Sequence, residues 1–589
     1  MSRLCFSNNI EIVNNFISYC EKAGFNRYNR ATFATGGGAV FKKLQIDNDN
    51  FLSTDSGSVY IVGTFFYNGQ SGQAAMAGIL SDFNEDIPAI RDKMNGAYAC
   101  ALIKNGRLYA FGDASGVYYY YCGVFRETNE WVIGTSLYGL AKASKHYSIE
   151  EYNLLEKCFQ SQFGDGTIFK DFCKIDGDSC FVFDLANNTF EKRTIGKKIS
   201  IDHRDIKVIV KEAAGEYHKL AKTLKNTFGE KGLSILMTGG LDSRCMMASL
   251  LSEGITPSMY YGVGNSPLAP TTEDDLKVDK VYSEKFNLPL QILDWSMPEK
   301  INVAWDETIE KYGELGTMYS SSPFVYSGLD SIKEPCVLLG YFGEMYRNHK
   351  LVEGKKKAKF TVDDILWGYT MPGRDMKMIL GDEYDHYVKK IYAKWNAILE
   401  PYLIEGKLDQ DYFSIVEYSR RRFSDTLVIN FMNQSRFALS LMSEPEILRY
   451  AFIPVENKNN AGFMIKLVNE LCPEVLSVPI YSRYQYLKVD KEKMEIATTK
   501  ASLKKRIYKL LGNIFGWKSF RSLKNTLSKG HTFIPKDMNV SQSKESIVNQ
   551  VNSILKDLPI ESRNIDTEHS NYLPKDVAYA YLMTMLSKF

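Results

Sequence analysis

No stretch of these 589 residues holds eighteen consecutive apolar side chains, so the sequence contains no candidate transmembrane helix. Its first residues, Met-Ser-Arg-Leu-Cys-Phe-Ser-Asn-Asn, lack the apolar core of a secretory signal. The ten cysteines stand singly, as at Cys5, Cys20, Cys100, Cys245 and Cys472. None forms a CxxC pair or a Cys/His cluster, which argues against both a zinc site and a disulfide framework. Unpaired thiols fit a reducing compartment, and the expected location is the cytoplasm. Neither sign of charge is in excess: 72 Lys and Arg against 70 Asp and Glu leave +2, so nothing global points to nucleic acid. There is no internal repeat. Aromatic residues are abundant, with 37 Tyr and 33 Phe, and they call for a large folded core. The length allows roughly two to four domains.

Residues 1 to about 195 read as β-rich. Short apolar segments at 59–66, 97–103, 108–113, 131–136 and 180–184 are separated by Gly, Asn and Asp. Between the second and third, Lys104-Asn105-Gly106-Arg107 is a hairpin signal. Asn187-Asn188 predicts a last hairpin after 180–184. From about 205 the pattern changes to helices alternating with short strands: a helix over 206–225, then strands at 234–237, 257–264, 290–293 and 336–340. That alternation predicts a parallel α/β sheet, whose ligands sit at the C-terminal strand ends. Tyr261, Gly262 and Gly340 fall at such ends. Residues beyond about 375 read as mostly helical.

The densest chemical signal is Ser234-Ile235-Leu236-Met237-Thr238-Gly239-Gly240-Leu241-Asp242-Ser243-Arg244. An apolar strand ends in Thr-Gly-Gly, and a helix-like run follows from Leu241. Glycines there allow close backbone approach and positive φ. The helix N-terminus offers free N–H groups and a positive dipole end to an anion. Thr238 and Ser243 can donate to phosphate oxygens, and Asp242 can hold a divalent cation. The combination suits the pyrophosphate of ATP with its Mg²⁺, with Leu236, Thr238, Gly239, Gly240, Asp242, Ser243, Tyr261, Gly262 and Gly340 as the nucleotide-binding set. The plainer reading is a strand-to-helix turn. No Gly-Lys-Ser/Thr follows a four-residue spacer, so this is not a Walker loop.

The string resembles the Ser-Gly-Gly-X-Asp-Ser signature of ATP pyrophosphatases, with Thr238 in place of the first Ser. In the form Gly-Gly-Leu-Asp-Ser-Arg it is most similar to the asparagine synthetase-like family, which includes β-lactam synthetase and lasso-peptide cyclases. The resemblance extends over most of the chain as pattern. Residues 63–69, 94–99, 112–116 and 134–136 look like successive strands of a class II glutaminase domain. Gly340-Tyr341-Phe342-Gly343-Glu344 lies where these synthetases carry Gly-X-Gly-X-Asp. Ser443-Glu444-Pro445, Ile453-Pro454-Val455 and Leu471-Cys472-Pro473-Glu474-Val475 echo the family's helical tail. The resemblance implies an α/β protein of two domains. An αββα (Ntn-hydrolase-like) sandwich spans 1–200, and a parallel-sheet pyrophosphatase-type synthetase domain with a helical C-terminal part spans 201–589.

The departures from that family are equally specific. The glutaminase needs Cys as first residue of the mature chain, whereas Met1-Ser2-Arg3-Leu4 precede Cys5 here. The Arg-Gly-Pro-Asp stretch is missing, and Asn-Gly-Glu is replaced by Thr64-Phe65-Phe66. A degenerate glutaminase domain that hydrolyses no glutamine is expected, with Cys5 an ordinary buried thiol.

What the resemblance implies for the second domain is adenylation of a carboxylate and transfer of the acyl group to an amine or ammonia, with AMP and pyrophosphate as products. Asp242 and Glu344 are the implied Mg²⁺ ligands, Glu344 being one methylene longer than the usual Asp. Tyr341 matches the β-lactam synthetase branch, where Tyr helps deprotonate an amine nucleophile. Lys458 and Lys466 are the candidates to meet the α-phosphate, although both lie out of register with the family pattern. The implied partners are a small-molecule or peptide carboxylate and an amine, with no nucleic acid. Three alternatives stand beside this. One is a catalytically inactive nucleotide-binding scaffold. Another is a glutamine-dependent amidotransferase of sugar acids in glycan biosynthesis. The third is a tRNA-modifying pyrophosphate-loop enzyme, which the missing Cys pairs and the neutral charge disfavour. Finally, residues 500–530 interleave Lys504, Lys505, Arg506, Lys509, Lys518, Arg521 and Lys524 with Ile507, Tyr508, Leu510, Leu511, Ile514, Phe515 and Trp517. This segment reads as a packing helix with a solvated basic face, or as a contact for a membrane surface or lipid-linked substrate.

Overall fold

The computed structural model describes residues 3–33, 35–150, 153, 156, 163–263, 273–294, 328–349, 351–352, 358–370, 382, 384–424 and 426–478, and the backbone of three strands between 480 and 495. The basic segment 500–530 lies outside the described residues. Among those described, no helix is long and apolar enough to cross a membrane.

Two six-stranded antiparallel sheets form the first part of the chain. Alternation along the strands explains how they stack. In the strand Gly57–Gly63, Tyr60 and Val62 face one core while Val59 and Ile61 face another. In Tyr98–Lys104, Ala99 and Ala101 divide in the same way from Tyr98, Cys100 and Leu102. The first core lies between the sheets, where Phe6 meets Tyr60 at 4.9 Å and Trp131 meets Phe183 at 4.1 Å, centroid to centroid. The second core is roofed by the helices Gly72–Asp82 and Ile87–Arg91. On the far side the helices Ile10–Lys22 and Leu137–Ser144 cover the other sheet, with Phe16 against Phe41 and Asn15 Nδ2 donating to Ala143 O at 3.2 Å. Four layers result: helix, sheet, sheet, helix. The central strands are buried on both faces, which is why they read as continuous apolar runs, whereas the edge strands Phe51–Thr54 and Thr189–Thr194 are largely exposed.

Local signals were reliable here. The 104–107 hairpin forms, with Asn105 at φ 53° and Gly106 at φ 71°, the left-handed pair a two-residue turn requires. Ser179–Asp184 and Thr189–Thr194 make the last hairpin, with Asn188 at φ 54°. Cys5 is completely buried mid-strand, opposite Gly134 and Ala39. Leu4 and Phe6 belong to the inter-sheet core, so Cys5 faces the helical layer that holds Cys20. Burial pushes its thiol well above the usual range, and the nearby Cys20 adds to this.

A five-stranded parallel sheet follows, in the order Leu290–Asp294, Ser258–Val263, Leu233–Leu236, Cys336–Leu338, Phe437–Leu439. The helices Ile206–Phe228, Leu241–Ser252 and Gly462–Leu471 pack on it and on one another. Among the described residues the chain beyond about 375 is mostly helical, as expected, with short strands between the helices. Phe437–Leu439 is the fifth strand of the sheet, too short at three residues to show a period. Further short strands occur at Leu403–Ile404, Lys407–Asp409 and between 480 and 495.

A polar seam joins sandwich to sheet. Asn433 Oδ1 accepts from Thr64 Oγ1 at 2.8 Å and from the buried Lys43 Nζ at 3.2 Å, while Asn433 Nδ2 donates to Ala438 O at 2.8 Å. Asn430 accepts from Tyr119 N and donates to Val117 O, both at 2.8 Å. Arg422 Nη1 lies 2.6 Å from Asp178 Oδ2. Glu444, fully buried, accepts from Gly96 N at 2.7 Å. Burial pushes its carboxyl up to about 8, with Glu446 and Asp113 adding repulsion.

A carboxyl raised in the folded state binds its proton more tightly there than in the unfolded chain. Its stabilising contribution is therefore full below the ordinary value of 4.5 and is lost as pH rises from there through about 8. Wild-type stability is expected to fall by on the order of 1 kcal/mol per pH unit across that window from this group. Glu444→Gln should flatten the fall in melting temperature between neutral-acid and alkaline pH. An unchanged slope in a pH series of thermal melts would show that Glu444 is ionised in the fold.

Candidate functional site

The strand order reverses at Leu233–Leu236: the chain next lays a strand on one side of it, and the later strand Cys336–Leu338 falls on the other. At such a switch point the two strand ends diverge and leave a crevice. Both chemical motifs of the sequence sit there. Leu236, half-buried, ends the first strand and leads into Thr238-Gly239-Gly240, and the helix Leu241–Ser252 begins at once. Gly340 and the turn Gly343–Tyr346 follow the second strand.

The loop is braced from within. Ser243 Oγ donates to Thr238 O at 2.8 Å, and the two hydroxyls lie 3.2 Å apart. Gly239 N donates to Asp275 Oδ1 at 3.2 Å and Gly240 N to Thr238 Oγ1 at 3.4 Å; both bonds are long. The glycines serve close approach only. Neither adopts the positive φ expected of them, and Gly240 as N-cap is extended at φ −82°. A Cβ on Gly239 would come within 2.5 Å of Asp275 Oδ1. Beneath the loop Arg244 is completely buried, donating to Val478 O at 2.5 Å and Gly239 O at 3.3 Å, with Tyr282 5.0 Å from its guanidinium carbon. Asp279, also beneath, is pushed up to about 8 by burial first and by Asp275 second.

The second motif closes on the first. A Cβ on Gly340 would sit 3.2 Å from Ser243 N, and one on Gly343 only 2.0 Å from Asp242 Cγ. Phe342 between them is buried at φ 70°, a left-handed conformation that a bulky residue adopts only under constraint. Tyr341, half-buried, accepts at its carbonyl from Ser440 Oγ at 2.8 Å, and its side chain packs on the main core.

Other expected site residues fall elsewhere or are engaged differently. Tyr261 and Gly262 lie inside their strand, laddered to Ile292 and Leu293, rather than beyond its end. Lys458 is not poised for a phosphate. It is buried, its ammonium donating to Met345 O at 3.0 Å and also to Ser414 Oγ and Ala451 O. Burial pulls it down to about 7. It bolts the Gly343–Tyr346 turn from behind. Lys466 is half-buried on the helix Gly462–Leu471, which packs against the loop helix.

The expected metal ligands meet a cation already. Arg347 Nη2 lies 2.7 Å from Asp242 Oδ2 and 3.7 Å from Glu344 Oε1. Sequence reading missed Arg347 and Asp275; only the close spacing of Arg347 after Glu344 could have pointed to the former. Among the described residues no group of three or more His, Cys, Asp or Glu could hold a metal. Two carboxylates converging on one positive group nonetheless fit Mg²⁺, which is commonly bound by one or two carboxylates plus substrate phosphates.

No family model matches the chain, and no curated protein matches it. Among solved structures it is similar to glutamine phosphoribosylpyrophosphate (PRPP) amidotransferase from B. subtilis, complexed with ADP and GMP. That match is 9% identical, covers 55% of this chain and 94% of that one, and has a TM-score of 0.26. A second, described as the allosteric regulatory enzyme of purine biosynthesis, is 9% identical over 53% of this chain and 88% of that one, with a TM-score of 0.24. At such TM-scores the likeness carries no argument about fold or activity.

Gly343→Ala should push the turn off Asp242. Overpacking of this kind typically costs about 1–3 kcal/mol. The expected outcome is a lowered melting temperature together with lost binding of a fluorescent ATP analogue. A variant that binds the analogue like wild type would show that the two motifs do not form one site.

Proposed function

We propose that this chain is an ATP-dependent carbon–nitrogen ligase that activates a carboxylate as its acyl-adenylate and transfers the acyl group to an amine or ammonia. The observation that supports it is the meeting of Thr238-Gly239-Gly240 and Asp242-Ser243 with the Gly340–Gly343 turn at the switch point of a parallel sheet. In this reading residues 201–589 form an asparagine synthetase-like domain. Residues 1–200 form a class II glutaminase-like sandwich that serves as scaffold.

Phosphate oxygens would replace the long bonds now made by the Gly239 and Gly240 N–H groups, and the Thr238 and Ser243 hydroxyls would donate alongside them. A carboxylate oxygen of the substrate attacks the α-phosphorus, the bond to the β-phosphate oxygen breaks, and pyrophosphate leaves. The amine then attacks the acyl carbon, AMP leaves, and the amine's proton passes to a base, for which Tyr341 is the candidate. Mg²⁺, held by Asp242 and Glu344, would supply neutralisation of charge on the departing pyrophosphate.

One observation favours a second reading, a nucleotide-binding scaffold without catalysis. The Lys458 ammonium is taken up by three oxygen atoms behind the site and is not available to an α-phosphate.

Incubation with ATP, Mg²⁺ and a panel of carboxylic acids and amines should release AMP and pyrophosphate, and Asp242→Ala should abolish the release. ADP as product would refute the mechanism; tight ATP binding with no turnover on any pair would favour the scaffold. Tyr341→Phe should slow amide formation by about 10²- to 10⁴-fold while leaving acid-dependent pyrophosphate exchange into ATP intact.

Glutamine should not be hydrolysed, and Cys5 should resist iodoacetamide in the folded protein. Its buried, protonated thiol and its place inside a strand motivate this. Glutamate released from glutamine, and lost on Cys5→Ala, would overturn the scaffold role of the sandwich.

A further inference from the structure

Arg347 sits where two constraints meet. The backbone beneath it is tied down: Gly343 lies against the Asp242 carboxylate with no room for a Cβ, Lys458 Nζ donates to Met345 O, and Tyr346 OH donates to Met442 O at 3.0 Å. The ion triad itself opens to solvent, with side-chain exposures of 36% for Arg347, 17% for Asp242 and 40% for Glu344. A rigid frame thus presents two carboxylates to one point, and a long, hinged side chain supplies the cation there.

We infer that Arg347 is a specificity-determining residue of this site, excluding a bare divalent cation and yielding only to one delivered with a polyphosphate. The inference rests on the ATP reading above. A divalent ion bound at Asp242 would stand within a few ångströms of the guanidinium, and like charges at that distance repel strongly. Arginine cannot relieve the repulsion by losing a proton. It must leave Asp242 and forfeit a charge-assisted hydrogen bond. A free cation offers nothing in return. A polyphosphate does, because the planar guanidinium fork matches phosphate oxygens in a way that the point charge of lysine does not. The displaced side chain then moves from carboxylate to phosphate, and the net charge of the site stays balanced.

The test uses the full chain and Mn²⁺, with free metal counted by its electron paramagnetic resonance signal, in the presence and absence of α,β-methylene-ATP. Wild type is expected to take up Mn²⁺ far more tightly with the analogue than alone. Arg347→Gln should bind Mn²⁺ alone about tenfold more tightly than wild type, the scale on which one neighbouring charge shifts an ionisation by a unit. It should also lose most of the gain from the analogue. Arg347→Lys, which keeps the charge, should still exclude bare Mn²⁺ but bind the Mn²⁺-analogue pair more weakly, and it carries the test if the Gln variant does not fold. Unchanged affinity for bare Mn²⁺ in Arg347→Gln would overturn the inference. So would a wild type that binds the analogue yet takes up Mn²⁺ no more tightly with it than alone. If the analogue binds no form of the protein while Arg347→Gln still gains Mn²⁺, the ATP reading fails and cation exclusion by Arg347 stands.

Discussion

Everything around the candidate site depends on one close approach, that of Gly343 to Asp242. The turn after Cys336–Leu338 lies so near the head of the helix Leu241–Ser252 that a single methyl group would collide with the Asp242 carboxylate. To reach that position the chain holds Phe342 in a left-handed conformation. Such strain persists only where surrounding contacts over-determine it, and they do: the Lys458 ammonium, the Tyr346 hydroxyl and the Ser440 hydroxyl each fasten a piece of the turn. The consequence is electrostatic. Glu344 and Arg347 are delivered to Asp242 by a turn tied at three points, and there Arg347 pairs with both carboxylates.

A second constraint ties that site to the rest of the molecule. Asn430 and Asn433 run from the sandwich to the edge of the parallel sheet, and Glu444 closes the seam on Gly96. The Thr64 hydroxyl donates to Asn433 Oδ1 and accepts from Ala438 N. Buried polar atoms satisfied across a seam hold two bodies in one arrangement, because leaving any one of them unpaired costs more than the bond itself contributes.

Lys458 illustrates how the same residue reads differently at two levels. By sequence it was a lysine near an expected phosphate. In the fold its ammonium is fully enclosed by carbonyl and hydroxyl oxygens. Burying a lysine is tolerated when its donors are satisfied, so its place behind the turn is that of a brace. Arg347 shows the converse: apart from its spacing after Glu344 nothing in the sequence distinguished it from a surface arginine, yet it pairs with both Asp242 and Glu344.

Two local patterns were decided by sequence alone. The apolar runs at 59–66 and 97–103 set strands, and Asn105-Gly106 set a hairpin turn, because both depend on geometry within a few residues. Thr238-Gly239-Gly240-Leu241-Asp242-Ser243 likewise specified a strand, a bare N-cap and a helix. Tertiary structure decided the rest. The strand Phe437–Leu439 is three residues long and exists only because Cys336–Leu338 offers it a ladder partner. The burial that raises Glu444 comes from packing of the sandwich against the sheet. The pairing of Asp242 with Arg347 joins residues 105 positions apart. None of these has a local signature, since each arises from the meeting of segments whose sequences carry no record of one another.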